Sequence, residues 1–245
     1  MAIDLTGKVC VITGAGEGVG RGLVLGFQRR GAQAIGGVRS LEKSAAALAP
    51  AWAVKFDVTR PDEIRAAVDA ILARHGRIDV WINNAGIYPR HPADRMTTEE
   101  WRRVIDTNLD GAWRCCEAII PQLKRQQSGV ILNVGSITLR LGLPQMAHYE
   151  ASKGGLVGLT RGLARDLGAY HIRVNCVHLG AVQTEGELRL FPDQAAMLRT
   201  LEEKQSLPGR LTPESVEPVF AFLASDESRD ITGQCLTADR GWTHD

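Results

Sequence analysis

Three residues in the second half of the chain have side chains that could together move a proton. Tyr149 and Lys153 are four positions apart in a stretch of helical periodicity, so both can reach a common ligand from one helix face. A phenol with a pKa of about 10 is a poor acid or base at neutral pH unless a nearby cation such as Lys153 stabilises the phenolate. Ser136, at the end of a predicted strand, could hydrogen-bond a substrate oxygen. The set suits protonation of the alkoxide that hydride transfer to a carbonyl leaves.

A glycine-rich turn, TGAGEGVG at residues 13–20, follows the first predicted strand and leads into a predicted helix over 19–30. Gly14 would permit a tight turn, Gly18 the close approach of a pyrophosphate, and Gly20 close packing of helix on strand. The helix N-terminus would then face the phosphates. A glycine cluster alone could be a plain turn, but its place after the first strand favours dinucleotide binding.

Seven short apolar runs predict the strands that must position these residues: 9–12, 34–38, 51–56, 80–83, 130–134, 173–177 and 234–237. Amphipathic stretches between them predict helices; in one, Ile64, Val68 and Ile71 follow helical spacing after Pro61. This alternation predicts crossover units, and hence a doubly wound parallel sheet with helices on both faces. No linker or repeat divides residues 1–245, so we expect one domain. The polar segment 183–208 is long for a connection, and we predict a mobile lid there.

The composition excludes several classes of protein. With 245 residues, 44% apolar and 23% charged, the chain is neither disordered, fibrous nor membranous. Its 29 basic and 28 acidic residues are scattered, which argues against nucleic acid or an anionic membrane as partner and favours a small molecule. The five cysteines form no CxxC pair, so we expect buried thiols and no metal site. The N-terminal residues carry charge and a glycine instead of a secretory signal, which predicts the cytoplasm.

Several motifs occur together and in order: TGxxxGxG at 13–20, NNAG at 83–86, the Ser136, Tyr149 and Lys153 spacing, Asn108 in a long helix, Asp57 after the third strand, and ITGQCLTADRGW at 231–242. As a set they resemble the short-chain dehydrogenase/reductase family over the whole chain. The resemblance implies a Rossmann-like α/β fold of about seven strands and an NAD(P)-dependent oxidoreductase for a carbonyl/secondary-alcohol pair. A catalytically silent NADP-binding regulator of the same fold is the alternative, because fold does not establish function.

The resemblance also implies a role for each site residue. Tyr149 would be the general acid/base, Lys153 would lower its pKa and hold the nicotinamide ribose, Ser136 would position the carbonyl, and Asn108 would complete a proton relay through water. The family's usual proline after the sixth strand is Leu179 here, which puts the stiffness of the lid in doubt. The residues expected to bind the cofactor are Thr13, Gly14, Gly16, Glu17, Gly18, Val19, Gly20, Arg39, Asp57, Val58, Asn84, Ala85, Gly86, Tyr149, Lys153, Gly180, Val182 and Thr184.

The end of the second strand bears on the choice of cofactor. Val38 stands where an acid would bind the NAD ribose, and the guanidinium of Arg39 follows, which favours NADP. Glu17 could oppose a 2′-phosphate if it points inward, and Arg39 could be a solvated turn residue.

We expect a small free ketone or alcohol as substrate, because Val130 and Tyr170 replace the basic residues with which carrier-protein reductases grip their partner. A lone histidine near a pocket is usually a wall or surface group, and of His91 and His148 the latter, beside Tyr149, is the better candidate for substrate contact. A homodimer or homotetramer is expected, because members of the family assemble through two long helices. Further pocket candidates are Tyr88, Ile137, Thr138, Arg140, Leu143, Gln145 and the segment 183–201.

Overall fold

A computed structural model describes residues 3–244, and within them seven strands form one parallel sheet in the order β3-β2-β1-β4-β5-β6-β7. The strands are β1 Val9–Thr13, β2 Gln33–Val38, β3 Trp52–Lys55, β4 Val80–Asn83, β5 Gly129–Ser136, β6 Ile172–Leu179 and β7 Cys235–Ala238. Strands β1, β4 and β5 are each buried along their whole length, as expected when helices cover both faces of a sheet.

Helices connect the strands and cover the sheet. They are α1 Gly18–Arg29, α2 Leu41–Leu48, α3 Pro61–His75, α4 Thr98–Ile105, α5 Gly111–Gln126, α6 Thr138–Leu141, α7 Ala147–Leu167, α8 Glu185–Leu190, α9 Gln194–Lys204 and α10 Pro213–Ala224. A π-helical turn, Asp106–Asp110, joins α4 to α5. One apolar core lies between the sheet and α1, α2 and α10, around Phe27 and Phe220, and the other lies against α3, α5 and α7, around Trp81.

The strand order reverses direction at β1, which pairs with β2 on one side and β4 on the other. The connections on the two sides of this point leave in opposite directions, so a crevice opens beyond the carboxyl ends of β1 and β4. The sequence-predicted site residues follow these strand ends, so the topology alone brings them to one edge of the sheet.

The fold predicted from the sequence is confirmed, with local differences in the elements. β5 and β6 extend further at their carboxyl ends than predicted, to Ser136 and Leu179. The segment 183–208, expected to be irregular, contains α8 and α9. Thr184 and Asp193 accept hydrogen bonds from backbone amides three residues on, and these caps begin the two helices. Four of the five cysteines are buried as expected, but Cys235 is partly exposed.

Candidate active site

The glycine-rich turn lies at the centre of the carboxyl edge of the sheet. Gly14 has φ +66°, and a Cβ there would lie 2.7 Å from the Cα of Ala85. A Cβ on Gly20 would lie 2.4 Å from the Gly14 carbonyl oxygen, and one on Gly16 would lie 3.0 Å from Ser44 Oγ. Side chains are therefore excluded at Gly14 and Gly20, and the backbone amides of the first turn of α1 can bind an anion. This cradle fits the pyrophosphate of a dinucleotide.

Thr13 holds the ends of β1 and β4 together. Its hydroxyl oxygen accepts from the backbone amides of Asn84 at 3.0 Å and Ala85 at 2.9 Å. The Asn84 side-chain amide returns a hydrogen bond to the Thr13 carbonyl at 2.8 Å. Deeper in the sheet, Asn83 Nδ2 donates to Asn133 Oδ1 at 2.9 Å. The NNAG motif at 83–86 therefore fixes the end of β4 through Asn83 and the wall of the crevice through Asn84.

Tyr149, Ser136 and Lys153 come together where β5 ends against α7. The ammonium of Lys153 lies 5.5 Å from the centre of the Tyr149 ring. Burial raises the pKa of Tyr149 to about 12, and a hydrogen bond with the Ser136 side chain opposes this rise. Ser136 Oγ also accepts from the backbone amide and hydroxyl of Thr138, at 3.2 and 3.1 Å. Ser136 is thereby held in place by Thr138, which the sequence analysis named only as a pocket candidate.

That Lys153 lowers the pKa of Tyr149 stays a prediction, because burial is the largest influence on both groups here. The ammonium is buried and donates to the Val134 carbonyl oxygen at 2.7 Å, and burial of the phenol dominates. Desolvation lowers the pKa of Lys153 itself to about 8.

Asn108 lies in the π-helical turn and ties α7 to the loop after β4. Its side chain accepts from the Ile87 amide at 2.8 Å and donates to the Ile87 carbonyl at 2.9 Å and to Ser152 Oγ at 3.2 Å. Ser152 in turn donates to the Tyr149 carbonyl at 2.6 Å. Sequence reasoning missed Ser152, although its place one residue before Lys153 and three after Tyr149 is a usable signal.

The segment after β6 packs onto the same edge. A Cβ on Gly180 would lie 2.9 Å from the Asp239 Cα, and Val182 bridges to Leu211. Thr184, the N-cap of α8, approaches the glycine turn so closely that a Cβ on Gly18 would lie 3.2 Å from its methyl group.

Two carboxylates join α8 to the glycine turn, in contacts that we call the α8 latch. Glu185 Oε2 accepts from the Gly18 amide at 3.0 Å, and its other oxygen pairs with Arg21. Glu17 Oε1 accepts from Arg189 Nη2 at 2.7 Å, with both side chains more than half exposed. The Glu185 carboxylate thus already binds a backbone donor at the N-terminus of α1.

The residues predicted to set cofactor choice lie at the ends of β2 and β3. Arg39 is exposed directly after β2, whereas Val38 is buried. Asp57 accepts from the amide and hydroxyl of Thr59 at 2.9 and 2.8 Å, forming a local turn after β3. Val58 is buried beside it, and a Cβ on Gly111 would lie 2.8 Å from its methyl group.

The predicted substrate contact by His148 is wrong. His148 is fully buried and packs edge-on against His91, with ring centres 5.5 Å apart. Burial lowers its pKa, and His91 pairs instead with Glu100. The nearer aromatic neighbour of Tyr149 is Tyr88, whose ring centre lies 6.3 Å away.

At the two positions that depart from the family pattern, Leu179 and Arg240, neighbouring residues provide pairing or hydrogen bonds. Leu179 continues β6 and pairs with Ala238 of β7. Arg240, in place of a glycine, adopts φ +60° and donates to the carbonyls of Leu207 and Pro208. The C-terminal loop is thereby fastened to the end of the segment 183–208.

Known proteins match the chain over nearly its whole length. A family model described as enoyl-(acyl carrier protein) reductase matches residues 14–243. The chain belongs to the short-chain dehydrogenase/reductase family. Similar members of this family are the 3-oxoacyl-[acyl-carrier-protein] reductase of Thermotoga maritima, with 38% identity over 97% of this chain and 98% of the relative, and the D-xylose 1-dehydrogenase of Caulobacter vibrioides, with 37% identity over 98% and 97%.

A solved structure in the same family is also similar. The gluconate 5-dehydrogenase of Burkholderia cenocepacia, in complex with NADP and tartrate, has a TM-score of 0.91 and 33% identity, covering 98% of this chain and 96% of that one. These relatives are named as dehydrogenases and reductases of different substrates. This chain is an NAD(P)-dependent oxidoreductase acting on a small molecule, and the comparisons give no support to a silent regulator. Among the described helices, none has the length and apolar character needed to span a bilayer.

Proposed function

We propose that this short-chain dehydrogenase/reductase prefers NADP and interconverts a small ketone and its secondary alcohol, with Tyr149 as the general acid/base. The observation that carries the proposal is the junction of Tyr149, Ser136 and Lys153 at the edge where the glycine turn leaves its anion cradle. When bound, the nicotinamide would supply or accept the hydride.

Tyr149 is suited to donate its proton. Because burial raises its pKa to about 12, the phenol stays protonated near neutral pH and can give a proton to a developing alkoxide. Ser136 would hydrogen-bond the same substrate oxygen and hold it within reach of the phenol. These two groups favour the reduction of a ketone near neutral pH.

Lys153 would bind the ribose hydroxyls of the cofactor. With a pKa of about 8 it is largely cationic at pH 7, and one of its three donors already goes to the Val134 carbonyl. The remaining donors are available for oxygen acceptors. Loss of the proton above pH 8 would weaken this binding.

Asn108 would support a proton relay through its backbone. Its side-chain amide already bonds to Ile87 and Ser152, so the backbone carbonyl in the π-helical turn is the better acceptor for a relay water. The side chain would act as a positioning group that fixes α7 through Ser152.

Arg39 supports the preference for NADP. Its exposed guanidinium follows β2 where a 2′-phosphate would be bound, and Val38 supplies no competing carboxylate. The charge of Glu17, which could repel that phosphate, is offset by its pairing with Arg189.

The segment 183–208 would serve as the lid of the active site, and the α8 latch would hold this lid against the glycine turn. Because Glu185 binds the Gly18 amide, the pyrophosphate would compete with this carboxylate for the N-terminus of α1. Cofactor binding would therefore move α8 away from the turn.

Exposed tryptophans on the two helices that flank the π-turn support a homodimer or homotetramer. Trp101 on α4 and Trp113 on α5 are 40% and 45% exposed in the single chain. Large apolar side chains on adjoining elements are typical of association surfaces.

A screen of ketones and secondary alcohols with NADPH, NADH and their oxidised forms tests the function. We expect turnover of a small ketone with NADPH preferred, and little activity on acetoacetyl-carrier protein, because Val130 and Tyr170 offer no cation to an acidic partner. Efficient reduction of the carrier-bound substrate alone would overturn the substrate class. Tighter binding of NADH than of NADPH would overturn the cofactor preference.

A further inference from the structure

Two cysteines and a histidine meet where β6 and β7 pair, in a group that the proposed mechanism does not use. Cys176 and Cys235 are opposite each other in the register, and His178 lies two residues along β6 on the same face. Their sulfur and ring nitrogen atoms all lie within 4.8 Å of one another. Cys176 and His178 are buried, and Cys235 is partly exposed. We call this group the β6–β7 thiol cluster.

The hydrogen bonds of His178 determine which of its ring nitrogens carries the proton. The backbone amide of Ser136 donates to His178 Nδ1 at 3.2 Å, so a neutral imidazole carries its proton on Nε2. The neutral ring therefore has no free nitrogen lone pair to offer. Gly135 makes the arrangement possible, because a Cβ there would lie 2.4 Å from His178 Nδ1 and 2.8 Å from Cys176 Sγ.

The charges around the cluster favour a thiolate on the accessible cysteine. Hydrogen bonds from Cys176 and then His178 lower the pKa of Cys235 to about 5, and Arg161 on α7 adds to this effect. The same contact raises the pKa of Cys176, although Lys153 on α7 opposes the rise. The Cys235 sulfur is thus the hydrogen-bond acceptor and the Cys176 thiol is the donor.

The three cysteines outside the cluster differ from Cys235 in their burial and in the direction of their pKa shift. Cys10, Cys115 and Cys116 are fully buried. Burial raises the pKa of each of them, that of Cys116 to about 12. They serve as internal controls.

We propose that Cys235 is a reactive thiolate that peroxides oxidise, and that Cys176 resolves the product into a Cys176–Cys235 disulfide. Parallel neighbours lie about 4.8 Å apart, within the roughly 4.4–6.8 Å that a disulfide needs between Cα atoms. A metal site fits less well, because the Nδ1 lone pair of His178 is already occupied by the Ser136 amide and the Nε2 of the neutral ring then carries the proton.

The chemistry balances with hydrogen peroxide as the oxidant. The Cys235 sulfur attacks one peroxide oxygen and the O–O bond breaks, giving a sulfenic acid and hydroxide. Cys176, losing its proton to that hydroxide, attacks the sulfenic sulfur, so that an S–S bond forms and the S–O bond breaks. The S–O bond breaks with release of hydroxide, so that the Cys235 thiolate, the Cys176 thiol and one peroxide give the disulfide, one water and one hydroxide.

The first test labels the folded full-length protein with iodoacetamide at several pH values and locates the label by peptide mass spectrometry. An ordinary thiol reacts about a hundredfold faster at pH 8.5 than at pH 6, because its thiolate fraction rises over this range. We expect the rate at Cys235 to change less than about threefold, since a thiolate already present gains nothing further. His178→Ala should restore a rise of tenfold or more, while Cys115→Ser, the matched control, should leave the flat profile unchanged.

The second test treats the folded protein with hydrogen peroxide and maps disulfides. We expect a Cys176–Cys235 bond that dithiothreitol reverses, and in Cys176→Ser a sulfenic acid on Cys235 that accumulates or oxidises further. A hundredfold pH rise at Cys235 in the wild type, or peroxide treatment that yields no such disulfide, would overturn the proposal. So would binding of one Zn²⁺ per chain that Cys235→Ser abolishes and that blocks labelling, since the cluster would then be a metal site.

Discussion

Lys153 places a positive charge inside the protein, next to the groups that handle the substrate proton. Burial lowers its pKa to about 8, whereas a lysine in the unfolded chain titrates near 10.4. Below pH 8 both states are protonated, and the folded state bears the cost of desolvating the charge. Between pH 8 and about 10.4 the unfolded state binds more protons, so this contribution to stability improves as pH rises.

Replacing Lys153 by methionine should therefore stabilise the protein while removing its activity. We expect Lys153→Met to raise the free energy of unfolding at pH 7 by about 1–3 kcal/mol, since the lost hydrogen bond to Val134 offsets part of the relieved desolvation. Urea denaturation at pH 7 measures this, and the difference should shrink at pH 10. A variant less stable than wild type at pH 7 would contradict the argument.

The proposed preference for NADP depends on Arg39. Arg39→Asp should weaken NADPH binding by tenfold or more and leave NADH binding equal or better, because an attraction for the 2′-phosphate becomes a repulsion. Fluorescence titration of both cofactors measures it. Arg229→Asp, the same charge change at an exposed position just before β7, is the control and should alter neither affinity. Equal losses for both cofactors in Arg39→Asp would argue against a phosphate contact.

At the scale of elements, we propose that α8 competes with the cofactor for the glycine turn through the α8 latch. Glu185→Gln removes a negative charge from the N-terminus of α1 and the pair with Arg21. We expect NADPH to bind about three- to tenfold more tightly, because the substitution removes one like-charge contact near a helix terminus.

Isothermal titration calorimetry checks the effect of the latch, with Glu227→Gln as a control in the turn after α10. Unchanged NADPH affinity in Glu185→Gln would mean that the carboxylate and the pyrophosphate do not compete.

The elements themselves were predictable because their signals are local. A strand buried on both faces is a short apolar run, as at Val130 to Val134, and TGAGEGVG combines a turn with a helix start. The four residues Asn108, Ser136, Tyr149 and Lys153 could be named because their spacing matches a family. Strand ends such as Ser136 and Leu179 depend on pairing between β5 and β6, which no local pattern records.

Contacts between distant segments could not be predicted in the same way. Glu185 and Gly18 are 167 positions apart, and Ser136 and His178 are 42 apart. His148 was expected to touch substrate because of its place beside Tyr149, but the helical direction of α7 turns it into the protein against His91. Likewise the effect of burial on Tyr149 and Lys153 depends on everything packed around them.

At the scale of the whole molecule, the parallel sheet brings residues from the ends of six strands, β1 to β6, to one edge and leaves Trp101 of α4 and Trp113 of α5 exposed. Trp113→Glu should reduce the assembly to a smaller species, because it places a charge on the exposed apolar surface proposed for association. Sedimentation velocity measures this, and Leu207→Glu, at a 59% exposed position elsewhere, is the control. A wild-type protein that sediments as a single chain would rule out the proposed oligomer.

Tyr149 is the proton donor at this edge in the proposed reaction. Tyr149→Phe keeps the ring that packs near Tyr88 and Lys153 and removes only the hydroxyl. The decisive measurement compares NADPH affinity and initial rates for the best ketone from the screen in wild type and Tyr149→Phe. We predict an affinity within a few-fold of wild type and a turnover lower by roughly 10² or more. An unchanged turnover in Tyr149→Phe would contradict the assignment of the general acid.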